Sequence, residues 1–431
     1  MTLGAPSAAV VSVGNELLFG ETVDTNAAWL GRALSAFGIP VTRRFTVGDV
    51  AEEIEWAVRD AAAVADLVLI TGGLGPTPDD LTKSVVANTF GLDLIFDQEV
   101  FRALRSRYTE RGLDDVPVSA YGQAEVPEGA TTLENPEGTA PGILLRVPEA
   151  IVVLLPGVPR ELQAIVEGAL RPYLVSLQPG EGERIWHHVV HTTGIAESRL
   201  TLRIEERLAE LDDDVRGRVG LAYLPDLHGV DLRFSAHGAS QDEAMSHIMP
   251  CLEAIEDVVS PYRFEAPSGD LAEAVCQALR ERNLTIATAE SCTGGLIAKR
   301  LTDTPGSSDV FIGGVVAYSN DVKAEQVGVL VSDIEYHGSV SEPVARQLAH
   351  GIARRFGADV GVGVTGVAGP GGGSEEKPIG TVWIATCVGG DVQAFAGRYS
   401  GDRAAVRARA GQAALTAVHR RLVDAGRGLN P

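Results

Sequence analysis

Two groups of residues have the types and spacing for chemistry. The first begins in Thr285–Leu296, TIATAESCTGGL. The apolar run from Leu284 to Ala289 reads as a short buried strand. The corner Glu290-Ser291-Cys292-Thr293 then gives way to Gly294-Gly295, after which Leu296, Ile297, Ala298 and Leu301 fall at helical spacing. A strand that turns into a helix through small residues presents a hydroxyl beside backbone N–H groups, where an anion or a developing oxyanion is favoured. Ser291 is therefore a candidate nucleophile, although a Ser/Thr helix cap would use the same pattern. Cys292 stands beside it. A thiol at a helix N-terminus has a lowered pKa, so local chemistry leans slightly toward the sulfur.

Other pieces could converge on that corner. Tyr318 ends a strand in AYSNDVK, and Lys323 lies in the helix that follows. Thr365-Gly366 ends another strand, and Gly369-Pro370-Gly371-Gly372-Gly373 could form a lid or an anion nest. Arg403 starts the last helix and could hold a phosphate bidentately. In an open α/β sheet, Ser291, Tyr318 and Thr365 would share the edge formed by strand C-termini. No histidine of this region (His337, His350, His419) sits in a comparable corner, so a Tyr or Lys base fits better than a Ser-His-Asp triad.

The second group lies in Ile70–Asp80, ITGGLGPTPDD, with Glu16 and Asp24 in the first strand-to-helix loop. Gly72 and Gly73 would let backbone approach a ligand closely. The loop is neither G-x-G-x-x-G nor a Walker A loop. Glu16, Asp24, Asp79 and Asp80 suggest a Mg²⁺-type metal bridging phosphates. Thr77-Pro78-Asp79-Asp80 also has the form of a capping box that starts a helix.

The elements that must position these residues follow from periodicity. Residues 1–176 alternate strands and helices, which predicts a mostly parallel sheet covered on both faces. LQPGEGE (Leu177–Glu183) reads as a linker. Residues 184–264 read as a small α+β unit whose His187, His188 and His191 alternate on a strand, so at most two converge and no metal is expected there. Residues 267–425 form a second α/β layer unit.

Composition narrows the partners. The 431 residues are 45% hydrophobic and 22% charged, as in a soluble globular protein, and two or three domains are expected. A net charge of −22 repels phosphate backbones and anionic membranes. The four cysteines fit neither a disulfide framework nor a zinc site, which suits a reducing cytoplasm. No signal-peptide pattern or membrane-spanning run is visible, so a cytoplasmic protein is expected.

The motifs also carry a resemblance. GNELLFGETVDTN followed by TGGLGPTPDD, and LPGVPREL at Leu155–Leu162, resemble the N-terminal domain of the CinA family, which is similar to the molybdopterin-binding fold. Asn15 departs from that fold's Gly-Asp-Glu stretch by replacing the aspartate. AESCTGG, GSSDVF, YSNDVK, GSVSEPVA, TGVAGPGGGSEEKPIGTVW and SGDRAAVR resemble the nicotinamide mononucleotide amidohydrolase domain of CinA and PncC proteins.

The resemblance implies a three-layer α/β/α N-terminal domain, a small central α+β domain and a C-terminal α/β/α amidohydrolase domain. It implies ADP-ribose hydrolysis to AMP and ribose 5-phosphate in the first, with a Mg, Mn or Co type metal on Glu16, Asp24 and Asp80, substrate on Gly72 and Gly73, and Asp80 catalytic. In the last it implies metal-free deamidation of nicotinamide mononucleotide. The roles there are Ser291 as nucleophile, Tyr318, Lys323 and Thr365 as its catalytic partners, and Thr293, Gly294, Gly366, Gly369 and Arg403 as substrate contacts. The resemblance also implies a homodimer, while the charge of −22 and the lack of a spanning run lead us to expect no nucleic-acid or membrane partner. The rival expectation is a nucleotide-sensing regulatory protein of competence or DNA damage, without turnover.

Overall fold

A computed structural model describes residues 6–77, 79–110, 112, 115–177 and 184–426. The expected linker lies, beyond Leu177, outside the described residues. The chain divides into two compact units, one of residues 6–185 and the other chiefly of residues 186–237 and 241–426.

The first unit is built on strands β1 (Ala8–Val13), β2 (Val41–Val47), β3 (Leu67–Thr71), β4 (Leu94–Phe96), β5 (Glu125–Pro127), β6 (Thr131–Leu133), β7 (Gly142–Arg146) and β8 (Ile151–Leu155). Its main sheet has the order β2-β1-β3-β8-β7-β6. β2, β1, β3 and β8 are parallel, while β7 and β6 add antiparallel pairs at one edge. Helices are α1 (Asn15–Leu18), α2 (Thr25–Ala36), α3 (Ala51–Val64), α4 (Thr82–Thr89), α5 (Gln98–Glu110), α6 (Pro159–Glu167) and α7 (Arg171–Ser176).

Strand alternation divides the apolar side chains between two faces. Ala9, Val11, Val68, Ile70, Val152 and Leu154 pack with Ile54 and Val58 of α3. Ala8, Val10, Leu67, Leu69, Val153 and Leu155 pack with Leu30 and Leu34 of α2 and Leu162 of α6. Burial on both sides explains why these strands read as continuous apolar runs.

The second unit holds two sheets. Strands β9 (Arg184–Thr192), β10 (Val219–Pro225), β11 (Val230–Gly238) and β12 (Arg263–Phe264) give the order β10-β11-β9-β12. One face is covered by α8 (Glu197–Leu208) and α10 (Gln241–Val259), with the short α9 (Asp213–Gly217) beside them. The strand histidines have separate partners on β11: His187 Nδ1 meets Ser235 Oγ and His191 Nδ1 meets Asp231 Oδ1, each at 2.8 Å.

The other sheet is formed by β13 (Ile286–Glu290), β14 (Phe311–Val316), β15 (Val360–Gly366), β16 (Thr381–Val388) and β17 (Asp391–Arg398), in the order β14-β13-β15-β16-β17. The first three are parallel and the last two add antiparallel pairs. Helices α11 (Leu271–Arg282), α12 (Leu296–Asp303) and α16 (Arg403–Gly426) cover one face. Helices α13 (Asn320–Val327), α14 (Val331–His337) and α15 (Glu342–Phe356) cover the other. Both α/β units are thus three-layer folds. No helix among the described residues is long and apolar enough to cross a membrane.

Candidate functional site

The serine corner is set by β13. This strand is central and buried, and its last residue is Glu290, a carboxylate only 1% exposed. Glu290 turns back under the corner and accepts the N–H groups of Ile297 at 3.1 Å and Ala298 at 2.9 Å. These are the second and third residues of α12, so the helix is capped by the strand that precedes it. Gly295 occupies the N-cap position and gives no side-chain bond.

Two expectations change here. Ser291 does not cap α12, and the first free N–H groups of that helix are not open to a ligand, because Glu290 already occupies them. Ser291 instead continues the sheet: its N–H bonds the Val364 carbonyl at 2.9 Å, and the residue is 9% exposed.

The thiol beside it is a poor nucleophile. Cys292 is 5% exposed, and burial pushes its pKa up to about 12. The expectation of a helix-lowered thiol pKa is overturned, since desolvation of the thiolate outweighs the helix terminus. Burial thus removes the slight local preference for the sulfur and agrees with the serine that the family resemblance implies.

The partners arrive from three elements. Lys323 on α13 is 2% exposed, and its Nζ donates to the Tyr318 carbonyl at 3.0 Å. Burial holds its pKa below the ordinary lysine value, opposed by the negative charge Cys292 would carry if ionised, so the amine is within electrostatic reach of the corner. Tyr318 is 60% exposed, and its hydroxyl receives Arg403 Nη2 at 2.9 Å. Arg403 Nη1 donates to the Gly369 carbonyl at 2.7 Å, tying the glycine loop to the same guanidinium. Thr365 is buried, and its hydroxyl donates to the Ser339 carbonyl at 2.7 Å, leaving it an acceptor toward anything else. Gly366 continues from Thr365 at the end of β15. Thr293 Oγ1 is buried with no hydrogen-bond partner, while Gly294 and Gly295 both take positive φ.

The first unit has its own pocket. A cavity of about 440 Å³ is lined by Glu16, Asp49, Gly72, Gly73, Asp79, Asp80 and Glu161, among others. It lies beyond the C-termini of β1, β3 and β8, the expected place in an open α/β sheet. At Gly72, with φ of +105°, a Cβ would lie 2.1 Å from the Val13 carbonyl oxygen. At Gly73, with φ of +66°, it would lie 2.2 Å from Thr82 Oγ1. No other residue keeps this backbone path.

The capping-box expectation is corrected. α4 starts at Thr82, and Leu81 stands at its N-cap position. Asp80 instead accepts the Thr77 N–H at 2.8 Å and the Thr77 hydroxyl, closing a turn that holds its carboxylate at the pocket wall. Pro78 is outside the described residues. Asp24 is also placed differently from expectation. It accepts the Ala27 N–H at 2.9 Å as the N-cap of α2 and the Ser12 hydroxyl at 2.6 Å, and it does not line the pocket.

The metal expectation can be set against this donor set. Among the described residues no three His, Cys, Asp or Glu side chains converge as a ready-made metal site. Glu16 and Asp80 on one pocket fit a different arrangement, in which a hard cation is held by one or two carboxylates and by the substrate's own phosphates.

Comparison with known proteins follows the same division. Residues 9–176 match a probable molybdopterin binding domain, residues 187–264 the damage-inducible protein CinA KH domain, and residues 268–422 the CinA C-terminal domain. A CinA-like protein of Gemmatimonas aurantiaca is 44% identical over 412 residues, 95% of each chain. The chain belongs to the CinA family. A CinA-like protein of Chlorobaculum tepidum is 40% identical, over 97% of this chain and 99% of its own. The crystal structure of the protein CinA from Thermoplasma acidophilum, 41% identical, covers 39% of this chain and 98% of its own, with a TM-score of 0.37.

Sequence reasoning passed over two residues of this CinA family site. Glu290 was read only as part of a polar corner, although a carboxylate ending a buried strand needs a partner. Arg407 donates Nε and Nη2 to the Thr293 carbonyl at 3.2 and 2.8 Å, clamping the corner. Its position four residues after Arg403, on the same helix face, was the available signal.

Proposed function

We infer that the C-terminal site hydrolyses the carboxamide of nicotinamide mononucleotide through Ser291, releasing ammonia and nicotinate mononucleotide. The observation that carries this is Lys323. A buried amine with a depressed pKa, within electrostatic reach of the corner, can accept the serine proton in its neutral form. Ser291 Oγ adds to the amide carbon, and Lys323 takes its proton. Return of that proton to the amide nitrogen lets ammonia leave, and water then cleaves the acyl-serine ester. Arg403, fixed by Tyr318 and Gly369, meets the substrate phosphate, and Thr365 and Gly366 border the substrate at the end of β15.

For the first unit we infer hydrolysis of ADP-ribose to AMP and ribose 5-phosphate in the acidic pocket. Gly72 and Gly73 admit the diphosphate, and Glu16 and Asp80 would hold a divalent cation that arrives with it. That cation would supply neutralisation of the phosphoryl charge.

The test gives full-length protein each nucleotide separately, with and without EDTA, and follows ammonia and AMP. Ammonia release from nicotinamide mononucleotide unaffected by EDTA supports the amidohydrolase. Tight nucleotide binding with no release of either product would favour the sensing role instead.

A further inference from the structure

A second cavity in the C-terminal unit is used by neither reaction. It measures about 830 Å³, within the range of small-molecule sites. Its walls come from the turn between β10 and β11, from β17 and from the outer face of α16. Ser291, Tyr318, Lys323 and Arg403 do not line it.

Three kinds of group meet there. Phe395, 39% exposed, and Tyr399 give an aromatic wall. Gln412 is 5% exposed and donates Nε2 to Thr193 Oγ1 at 2.8 Å, while its Oε1 is buried with no hydrogen-bond partner. A buried acceptor without a partner is costly, so a ligand N–H that reaches it would be favoured. Arginines supply the third kind. Arg409 is held by Ser400, and Arg421 by Asp391 and Thr386. Arg420 lies over the Tyr262 ring, 5.6 Å from its centroid, and makes no hydrogen bond among the described residues. Three arginines at one cavity stand out in a chain of net charge −22.

We propose that this cavity binds a nucleoside monophosphate whose base carries an amino group. The base stacks on Phe395 and Tyr399, where a π-face is recognised whatever its edge. Its exocyclic amine donates to Gln412 Oε1. The phosphate is taken by Arg420, whose guanidinium stands at the cavity beside Gly194. The carboxylates of Glu197 and Asp226, also at the cavity, suit ribose hydroxyl donors.

The test photolabels the full chain with 8-azidoadenosine 5′-monophosphate and maps the adduct by peptide mass spectrometry. The expected label falls in residues 193–197, 393–399 or 409–421, apart from Arg403 and Arg407 of the serine site, and is competed by AMP. Arg420→Glu should lower that label about tenfold, and Ala413→Trp, which fills the cavity, should do the same. Labels near Ser291 or Gly72 should not change. Arg420 is exposed, so its variant keeps the test valid if Ala413→Trp folds poorly. Label confined to the Ser291 or Gly72 peptides, or cavity label unchanged in Arg420→Glu, overturns the proposal.

Discussion

Arg403 and Tyr318 are joined by a 2.9 Å hydrogen bond from guanidinium to phenol, across 85 residues of sequence. The same guanidinium holds the Gly369 carbonyl, so one side chain ties Tyr318 to the glycine loop. A lysine cannot reproduce two bonds in a planar fork. Arg403→Lys should therefore raise KM for nicotinamide mononucleotide about tenfold or more, with kcat less affected and the melting temperature nearly unchanged. An unchanged KM in steady-state assays would remove Arg403 from substrate binding.

The nucleophile assignment predicts opposite outcomes for neighbours. Ser291→Ala should abolish ammonia release while nicotinamide mononucleotide still binds by calorimetry. Cys292→Ala should keep most activity, because a thiol whose pKa is about 12 is almost wholly protonated at pH 8. For the same reason iodoacetamide at pH 8 should inactivate wild type slowly. Loss of activity in Cys292→Ala with survival in Ser291→Ala would reverse the assignment.

Lys323 gives a pH prediction with a definite sign. Its folded pKa lies below the unfolded value, so between the two the unfolded chain binds more protons. Its contribution to stability must then rise as pH increases through the folded pKa toward the ordinary lysine range. Cys292 acts oppositely: its folded pKa is raised, and its contribution falls above the unfolded thiol pKa. Lys323→Met should flatten the rise in urea stability measured as pH approaches the ordinary lysine value of 10.5 from below, and should abolish deamidation. An identical pH slope in the variant would mean that Lys323 is not depressed.

The carboxylates of the first unit separate into structural and ligand-facing groups. Asp24→Ala removes the cap of α2 and should cost about 1 kcal/mol in denaturant unfolding. Asp80→Asn keeps shape and should change stability little, while reducing ADP-ribose hydrolysis by orders of magnitude. Full AMP release by Asp80→Asn would leave Asp80 as the partner of Thr77 only.

The layers were legible because both α/β sheets are buried on two faces. Runs such as Ala8–Val13 and Leu67–Thr71 have no polar interruption except Ser12 and Thr71, which marks parallel central strands. The glycine corners were legible because few residues can follow their backbone. The functions of Glu290, Asp24 and Asp80 were not, because a carboxylate can cap a helix, close a turn or face a ligand from similar local sequence. Asp24 was grouped with Glu16 by its place in one loop, yet it points to Ala27 and Ser12. Cys292 was misread for a related reason: its helix position is visible in sequence, but its desolvation is set by the strands and helices around it.

Glu290 provides the sharpest test of how the corner is built. Its carboxylate is buried and accepts two N–H groups from the first turn of α12, so it works as a cap supplied from outside the helix. Hydrogen bonds to charged groups contribute about 1.5–3 kcal/mol each, and orphaned buried donors cost about 1–3 kcal/mol. Glu290→Ala should therefore destabilise the unit by several kcal/mol. Glu290→Gln keeps the shape and one carbonyl acceptor, so it should cost less and leave a folded protein. The catalytic readout distinguishes a cap from a proton carrier. A cap acts through the position of Ser291, so Glu290→Gln should lower kcat while leaving the shape of the pH profile intact. A group that moves the reacting proton would change that profile. Complete loss of an ionisation from the kcat/KM profile of Glu290→Gln, with wild-type stability, would place Glu290 in the chemistry and require Lys323 to be demoted.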